Sequence, residues 1–194
     1  KRRQMAAVGA DVVAVKGSRD DVSAAALKDA EKIFYACHNL QPYFLEGTKT
    51  LAFEIWEQLN FDLPDVIVIP MGQGANVMGC HIGFSELKRA GVIDRLPRLY
   101  AVQAVNAAPY YAAWSVDSAT PIAIDASHTI ADGIASSRPI RLREVFMALR
   151  ETDGDIVAVT EDEIEASLKA LCQKGLFVEP TTAAGAAGLK ILFE

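Results

Sequence analysis

Only three cysteines, Cys37, Cys80 and Cys172, occur in the 194 residues, far apart and never as Cys-x-x-Cys. With His38, His81 and His128 isolated, neither a disulfide framework nor a zinc site is signalled, and the cysteine usage points to a reducing, cytoplasmic compartment. Each histidine is expected to be a satisfied polar residue or a surface group. Positive charge is also scarce: 19 Lys and Arg face 25 Asp and Glu, a net charge of −6, and the basic residues cluster only at Lys1-Arg2-Arg3. Nucleic acid is therefore not expected as a partner. No apolar run approaches the roughly 18 residues that span a bilayer, and no secretory apolar segment follows the basic start, so no membrane partner is expected either.

Apolar residues, by contrast, make up 51% of the chain. That supplies a core for one large domain, or for a domain and a fragment of another. The opening, Lys1 to Ala10, reads as the last turns of a helix closing on Gly9, as if the chain were a piece of something longer.

Further along, strand and helix signals alternate. Asp11 to Lys16 reads as a buried strand stopped by Gly17, and Ser18 with Asp21 offers a capping-box-like start to a helix reaching about Cys37. A second helix is expected from Gly47 to Leu59, with Leu51, Ile55 and Leu59 on one face. Residues 65–70 form a strand, 76–90 a helix ended by Gly91, and 99–105 the next strand. Asp155 to Val159 is a strand followed by the capping box Thr160-Glu161-Asp162-Glu163 and a helix to Lys174, closed by Gly175. A short strand, 176–179, then meets Pro180 and an alanine-rich helix. Residues 106–139, with Pro109, Pro121 and Pro139, read as irregular, long enough for active-site loops or an oligomer contact. Unbroken apolar strands alternating with helices imply an α/β fold: an open parallel sheet with helices on both faces, in three layers.

Two stretches carry chemistry. Val66 to Ile69 runs into Met71-Gly72-Gln73-Gly74-Ala75-Asn76, which opens a helix; at the carboxyl end of a parallel strand such a turn presents unpaired N–H groups to an anion. An ordinary tight strand-to-helix turn has the same pattern. A dinucleotide fingerprint is excluded, since the third glycine is missing and no acidic residue ends the following strand; the Gly-Lys-Ser/Thr of a triphosphate loop is absent too. The second stretch, Val178-Glu179-Pro180-Thr181-Thr182-Ala183-Ala184, places two hydroxyls at a helix start, where they serve as caps or face a ligand crevice. Upstream, Leu45-Glu46-Gly47-Thr48-Lys49-Thr50 sets polar groups before an apolar helix.

Three segments, 42–55, 68–76 and 178–184, occur in the order found in threonine synthase and its close relatives, and the likeness extends through Val12 to Gly17 and Thr129 to Ala135. The chain thus resembles the pyridoxal-phosphate enzymes of fold type II, the tryptophan-synthase-β-like fold. The resemblance implies a division into residues 1–17, the end of a truncated small domain, and residues 18–194, the large cofactor-binding domain. It implies pyridoxal 5'-phosphate as cofactor, its phosphate held by Gly72, Gln73, Gly74, Ala75 and Asn76. Thr182 would hydrogen-bond the pyridine nitrogen, and Thr50 or Lys49 would line the site of a small amino-acid substrate. A homodimer is implied, with Trp114, Tyr110 and Tyr111 near a subunit interface, and a lyase activity like that of threonine synthase, converting phosphohomoserine to threonine and phosphate.

Two departures bear on that activity. The family's Schiff-base lysine lies in a Ser-x-Lys segment upstream of the glycine turn, and no lysine of this sequence stands in that context. The chain alone is therefore expected to be inactive, with no catalytic residue assigned within it. Threonine synthases also commonly carry Arg before Leu-Glu-Gly, where Phe44 stands here, and a phenyl ring offers a substrate phosphate no charge-assisted partner. A threonine or serine dehydratase-like member, favoured by Thr129 to Ala135, and a non-catalytic pyridoxal-phosphate-binding relative remain the alternatives.

Overall fold

A computed structural model describes residues 2–17 and 19–193. It forms two compact units, residues 1–40 and 41–194.

The first unit holds α1 (Arg2–Ala7) and α2 (Arg19–Asp29). Gly9, at φ +80°, takes the left-handed turn after α1, as its position suggests. Two expectations are corrected. Residues 11–16 form no strand: a strand exists through its ladder, none of the described residues pairs with them, and Val13 is exposed. The helix expected to reach about Cys37 stops at Asp29, giving way to turns at residues 30–33. The expected cap at Ser18, like the start at Lys1, lies outside the described residues.

The second unit runs α3 (Pro42–Thr48), α4 (Thr50–Gln58), β1 (Val66–Pro70), α5 (Ala75–Arg89), β2 (Arg98–Ala104), α6 (Pro109–Trp114), α7 (Leu142–Glu151), β3 (Asp155–Val159), α8 (Glu161–Gln173) and α9 (Pro180–Phe193). Its sheet is parallel, in the order β1-β2-β3, with Val66 opposite Arg98 and Tyr100 opposite Asp155. Successive strand residues point to opposite faces. Ile69, Leu99, Ala101 and Ile156 accordingly join Val77, Phe84, Val145 and Leu149 in one core, while Val102, Ala104 and Val159 join Ile164, Ala183, Ala184 and Ala187 in another. Both faces of the sheet are covered, which is why its strands are apolar throughout.

Small residues set how closely the helices approach. A Cβ on Gly188 would come within 2.4 Å of Val102 Cγ2, and one on Gly185 within 3.1 Å of Pro70 Cγ, so α9 packs tightly on side chains of β1 and β2. On the other face, a Cβ on Gly83 would meet Lys49 O at 2.5 Å. Thr160 caps α8 through the full reciprocal box with Glu163, as the sequence indicates. Residues 176–179, expected as a strand, have no ladder partner among the described residues, and Phe177 is 95% exposed; the segment is an irregular lead-in to α9. The single helix expected from Gly47 to Leu59 is instead two, α3 and α4, meeting at Lys49. Residues 106–139 are mostly irregular but contain α6, started by Pro109 at its first position.

Candidate active site

The carboxyl ends of β1 and β2 carry the site. Met71 extends the ladder by donating its N–H to Val102 O at 2.8 Å, and the chain then breaks away. Gly74 caps α5 in the left-handed region, φ +82°, where a side chain is strained, and a Cβ there would lie 2.4 Å from Val145 Cγ2. No side chain caps α5. The N–H groups of Gly72, Gln73, Gly74, Ala75, Asn76 and Val77 find no acceptor among the described residues, while the helix ladder begins only with Met78 N–H donating to Gly74 O. Consecutive free N–H donors at the positive end of a fifteen-residue helix form a site whose chemistry suits an anion.

Side chains hold this turn from beneath and beside. Gln103, fully buried in β2, donates from Nε2 to Met71 O (3.3 Å) and accepts at Oε1 from the N–H groups of Tyr110 and Tyr111, both at 3.0 Å. Tyr110 OH donates to Gln73 O at 3.1 Å and accepts from Arg141 N at 3.4 Å. Burial pushes the Tyr110 hydroxyl up to about 12, so it is a neutral donor at physiological pH. Gln73 turns its own side chain outward to residues 136–140: Nε2 donates to Ser136 Oγ (2.5 Å) and Arg138 O (2.9 Å), and Oε1 accepts from Ile140 N (3.1 Å). Of Gln73, then, only the main chain is left for a ligand.

A third segment closes the mouth. A Cβ on Gly72 would stand 3.3 Å from Ile134 Cα, and Gly133 N–H donates to Thr181 Oγ1 at 3.2 Å. The glycine turn, residues 133–134 and the start of α9 are thus stacked side by side. Within the Thr-Thr pair the first hydroxyl is engaged; Thr182 is exposed, and its hydroxyl has no partner among the described residues. On the far side of residues 129–134, Glu161 Oε2 accepts from Ile130 N at 2.8 Å.

Lys49 and Thr50 are not brought to this place. Lys49 Nζ pairs with Glu46 and with Glu86, and Glu86 lies about 15 Å along the axis of α5 from Asn76. Hydrogen bonds that Lys49 donates to those two carboxylates, Glu46 foremost, raise its pKa. Thr50 donates its hydroxyl to Gly47 O at 2.9 Å. Lys49 thus joins α3 and α4 to the distal half of α5, and Thr50 satisfies a local carbonyl. His81 is a satisfied polar group, its Nε2 2.8 Å from Glu151 Oε2, and Cys80 is core, its thiol pushed up to about 12 by burial. Among the described residues no cluster of His, Cys, Asp or Glu is fit to hold a metal ion.

The supporting network was not read from the sequence. One signal was available: Gln103 interrupts the run Leu99 to Val105, and a buried amide has to find partners.

A helix start with free N–H donors at the carboxyl edge of a parallel sheet is an arrangement whose chemistry suits a phosphoryl group. The chain belongs to the pyridoxal-phosphate dependent enzyme family, whose family model matches residues 1–194. It is 38% identical over 188 residues to threonine synthase of Methanocaldococcus jannaschii, which covers 96% of this chain and 46% of that protein. To threonine synthase of Methanosarcina acetivorans it is 36% identical over 189 residues, with 96% and 46% covered. The chain therefore spans about half the length of these curated relatives. Among solved structures, the processed threonine deaminase isoform 2 of Solanum lycopersicum shares the fold, with TM-score 0.78 and 23% identity over 96% of this chain and 52% of that one. The family's cofactor is pyridoxal 5'-phosphate, and the free donor set at Gly72 to Val77 fits its phosphate.

Proposed function

We propose that this chain is the cofactor-holding portion of a pyridoxal-phosphate-dependent lyase resembling threonine synthase, acting on the side chain of a small amino acid. The observation that carries this reading is the run of unpartnered N–H groups from Gly72 to Val77, with the Thr182 hydroxyl exposed beyond residues 133–134. When bound, pyridoxal 5'-phosphate supplies an electron sink for negative charge next to the substrate's amino group.

The chain's own residues do the rest of what can be assigned. The main-chain N–H groups of Gly72, Gln73, Gly74, Ala75 and Asn76 donate to the phosphate and fix its position without adding a titratable group. Thr182 would meet the ring nitrogen with a neutral hydroxyl, which, unlike a carboxylate, does not hold a proton there and keeps the ring a moderate sink. Such electronics suit elimination and replacement on the amino-acid side chain. The amine that moves the substrate proton would come from a lysine outside these 194 residues, since none of the lysines upstream of the glycine turn stands in a Ser-x-Lys segment, and Ser167-Leu168-Lys169 lies downstream of it. Cytoplasmic location and a homodimer complete the reading.

One observation favours a second reading. Phe44 stands where a cation would hold a substrate phosphate, so a threonine or serine dehydratase-like activity is the competing assignment. The two separate in one assay of the gene's whole product. Release of inorganic phosphate from phosphohomoserine supports the synthase; keto acid from free threonine or serine with no use of phosphohomoserine supports the dehydratase. A product that neither binds pyridoxal 5'-phosphate nor shows its near-ultraviolet absorbance refutes both.

A further inference from the structure

We infer that Gln103 and Tyr110 are positioning residues for the phosphate cradle: they fix two peptide planes of the glycine turn so that the N–H groups of Gly72 and Gly74 face outward. The inference rests on the reading of that turn as the phosphate site.

The peptide bonds around the turn are all trans. In a trans peptide the carbonyl and the following N–H point in opposite directions across the same plane. Met71 O accepts from Gln103 Nε2, so the N–H of Gly72 points away from Gln103; Gln73 O accepts from Tyr110 OH, so the N–H of Gly74 points away from Tyr110. Gln103 and Tyr110 are both fully buried, so both N–H groups are aimed away from the packed interior beneath the turn. They are also one unit, because Gln103 Oε1 accepts the N–H groups of Tyr110 and Tyr111 and so anchors the start of α6 beneath the turn. Glycine needs such a hold. Without a Cβ the planes on either side of Gly72 and Gly74 rotate cheaply, and a cradle that rotates must be ordered at the ligand's expense. The tyrosine hydroxyl serves as a donor because it keeps its proton, and a glutamine serves because it donates upward with one atom while accepting two N–H groups with the other.

The test uses pyridoxine 5'-phosphate and pyridoxine as probes, since neither carries the aldehyde that reacts with a lysine, and their affinity ratio isolates the phosphate contribution. Titration calorimetry on the gene's whole product is expected to show a strong preference for the phosphorylated probe. Tyr110→Phe should cut that preference about tenfold, the scale of one lost hydrogen bond in the arrangement, while pyridoxine alone binds as before. If Tyr110→Phe does not fold, Gln103→Glu is the second variant: its carboxylate still accepts from Tyr110 and Tyr111 but repels Met71 O, and it too should lose preference for phosphate. A parent protein with no preference refutes the phosphate site and this inference together. A parent that prefers phosphate, with folded variants that keep the full preference, refutes the positioning role alone, and an equal loss for both probes does the same by showing a general structural defect.

Discussion

Gly74 concentrates two demands at one residue. Its φ of +82° excludes an ordinary side chain, and Val145 fills the space where a Cβ would go. Gly74→Ala is expected to lose about 2–4 kcal/mol of stability, combining left-handed strain with overpacking, as read from urea midpoints. Tyr110 makes a prediction of a different kind. Its hydroxyl titrates near 10 when unfolded and is pushed up to about 12 in the fold by burial. Between those values the folded state holds a proton that the unfolded chain has released, so the stabilisation is complete below pH 10 and declines as pH rises toward about 12. Tyr110→Phe removes that slope, and the stability gap between parent and variant should narrow across this window in denaturant titrations at successive pH values. Cys80, with its thiol pushed up to about 12 and no exposed surface, should resist thiol reagents at neutral pH until the protein unfolds, while exposed Cys172 reacts.

Between elements, the decisive contacts are glycine-mediated. The α3–α4 junction sits on α5 because Gly79 and Gly83 leave room for the main chain of Thr48 and Lys49. Gly83→Val should cost about 1–3 kcal/mol by thermal melting, despite replacing a poor helix former, because the nearest atoms are main chain and an alanine Cβ. Elements with local signals were legible in sequence: the Thr160 box, the glycine stops at Gly91 and Gly175, and the aliphatic runs of β1 and β3. The strands expected at residues 11–16 and 176–179 failed because apolar content marks burial potential, whereas a strand needs a neighbour that sequence alone does not supply. The break at Lys49 was hidden because helical periodicity continues across it. The glycine turn and the Thr-Thr pair stand out in the sequence as local patterns. Gln103, Tyr110 and residues 136–140 do not, since their role lies in contacts between segments distant along the chain.

At the scale of the molecule, every buried hydrophobic side chain among the described residues lies between Leu45 and Ala187. The unit formed by residues 41–194, which contains both Trp56 and Trp114, is therefore expected to unfold in one cooperative transition. Tryptophan fluorescence and circular dichroism should report the same midpoint, and separate midpoints would show that its two core clusters melt independently. The sheet itself has a kinetic consequence. None of its pairings is a hairpin: Val66 must find Arg98, and Tyr100 must find Asp155, across whole intervening helices. Chain closure over such spans comes before any reward from pairing, so renaturation should be slow, on the order of milliseconds to seconds or longer. The glycine turn proposed to hold phosphate, which leans on β2 and α6 as much as on its own residues, then takes shape only at the end of that search, and an excised peptide spanning it is expected to capture no phosphate.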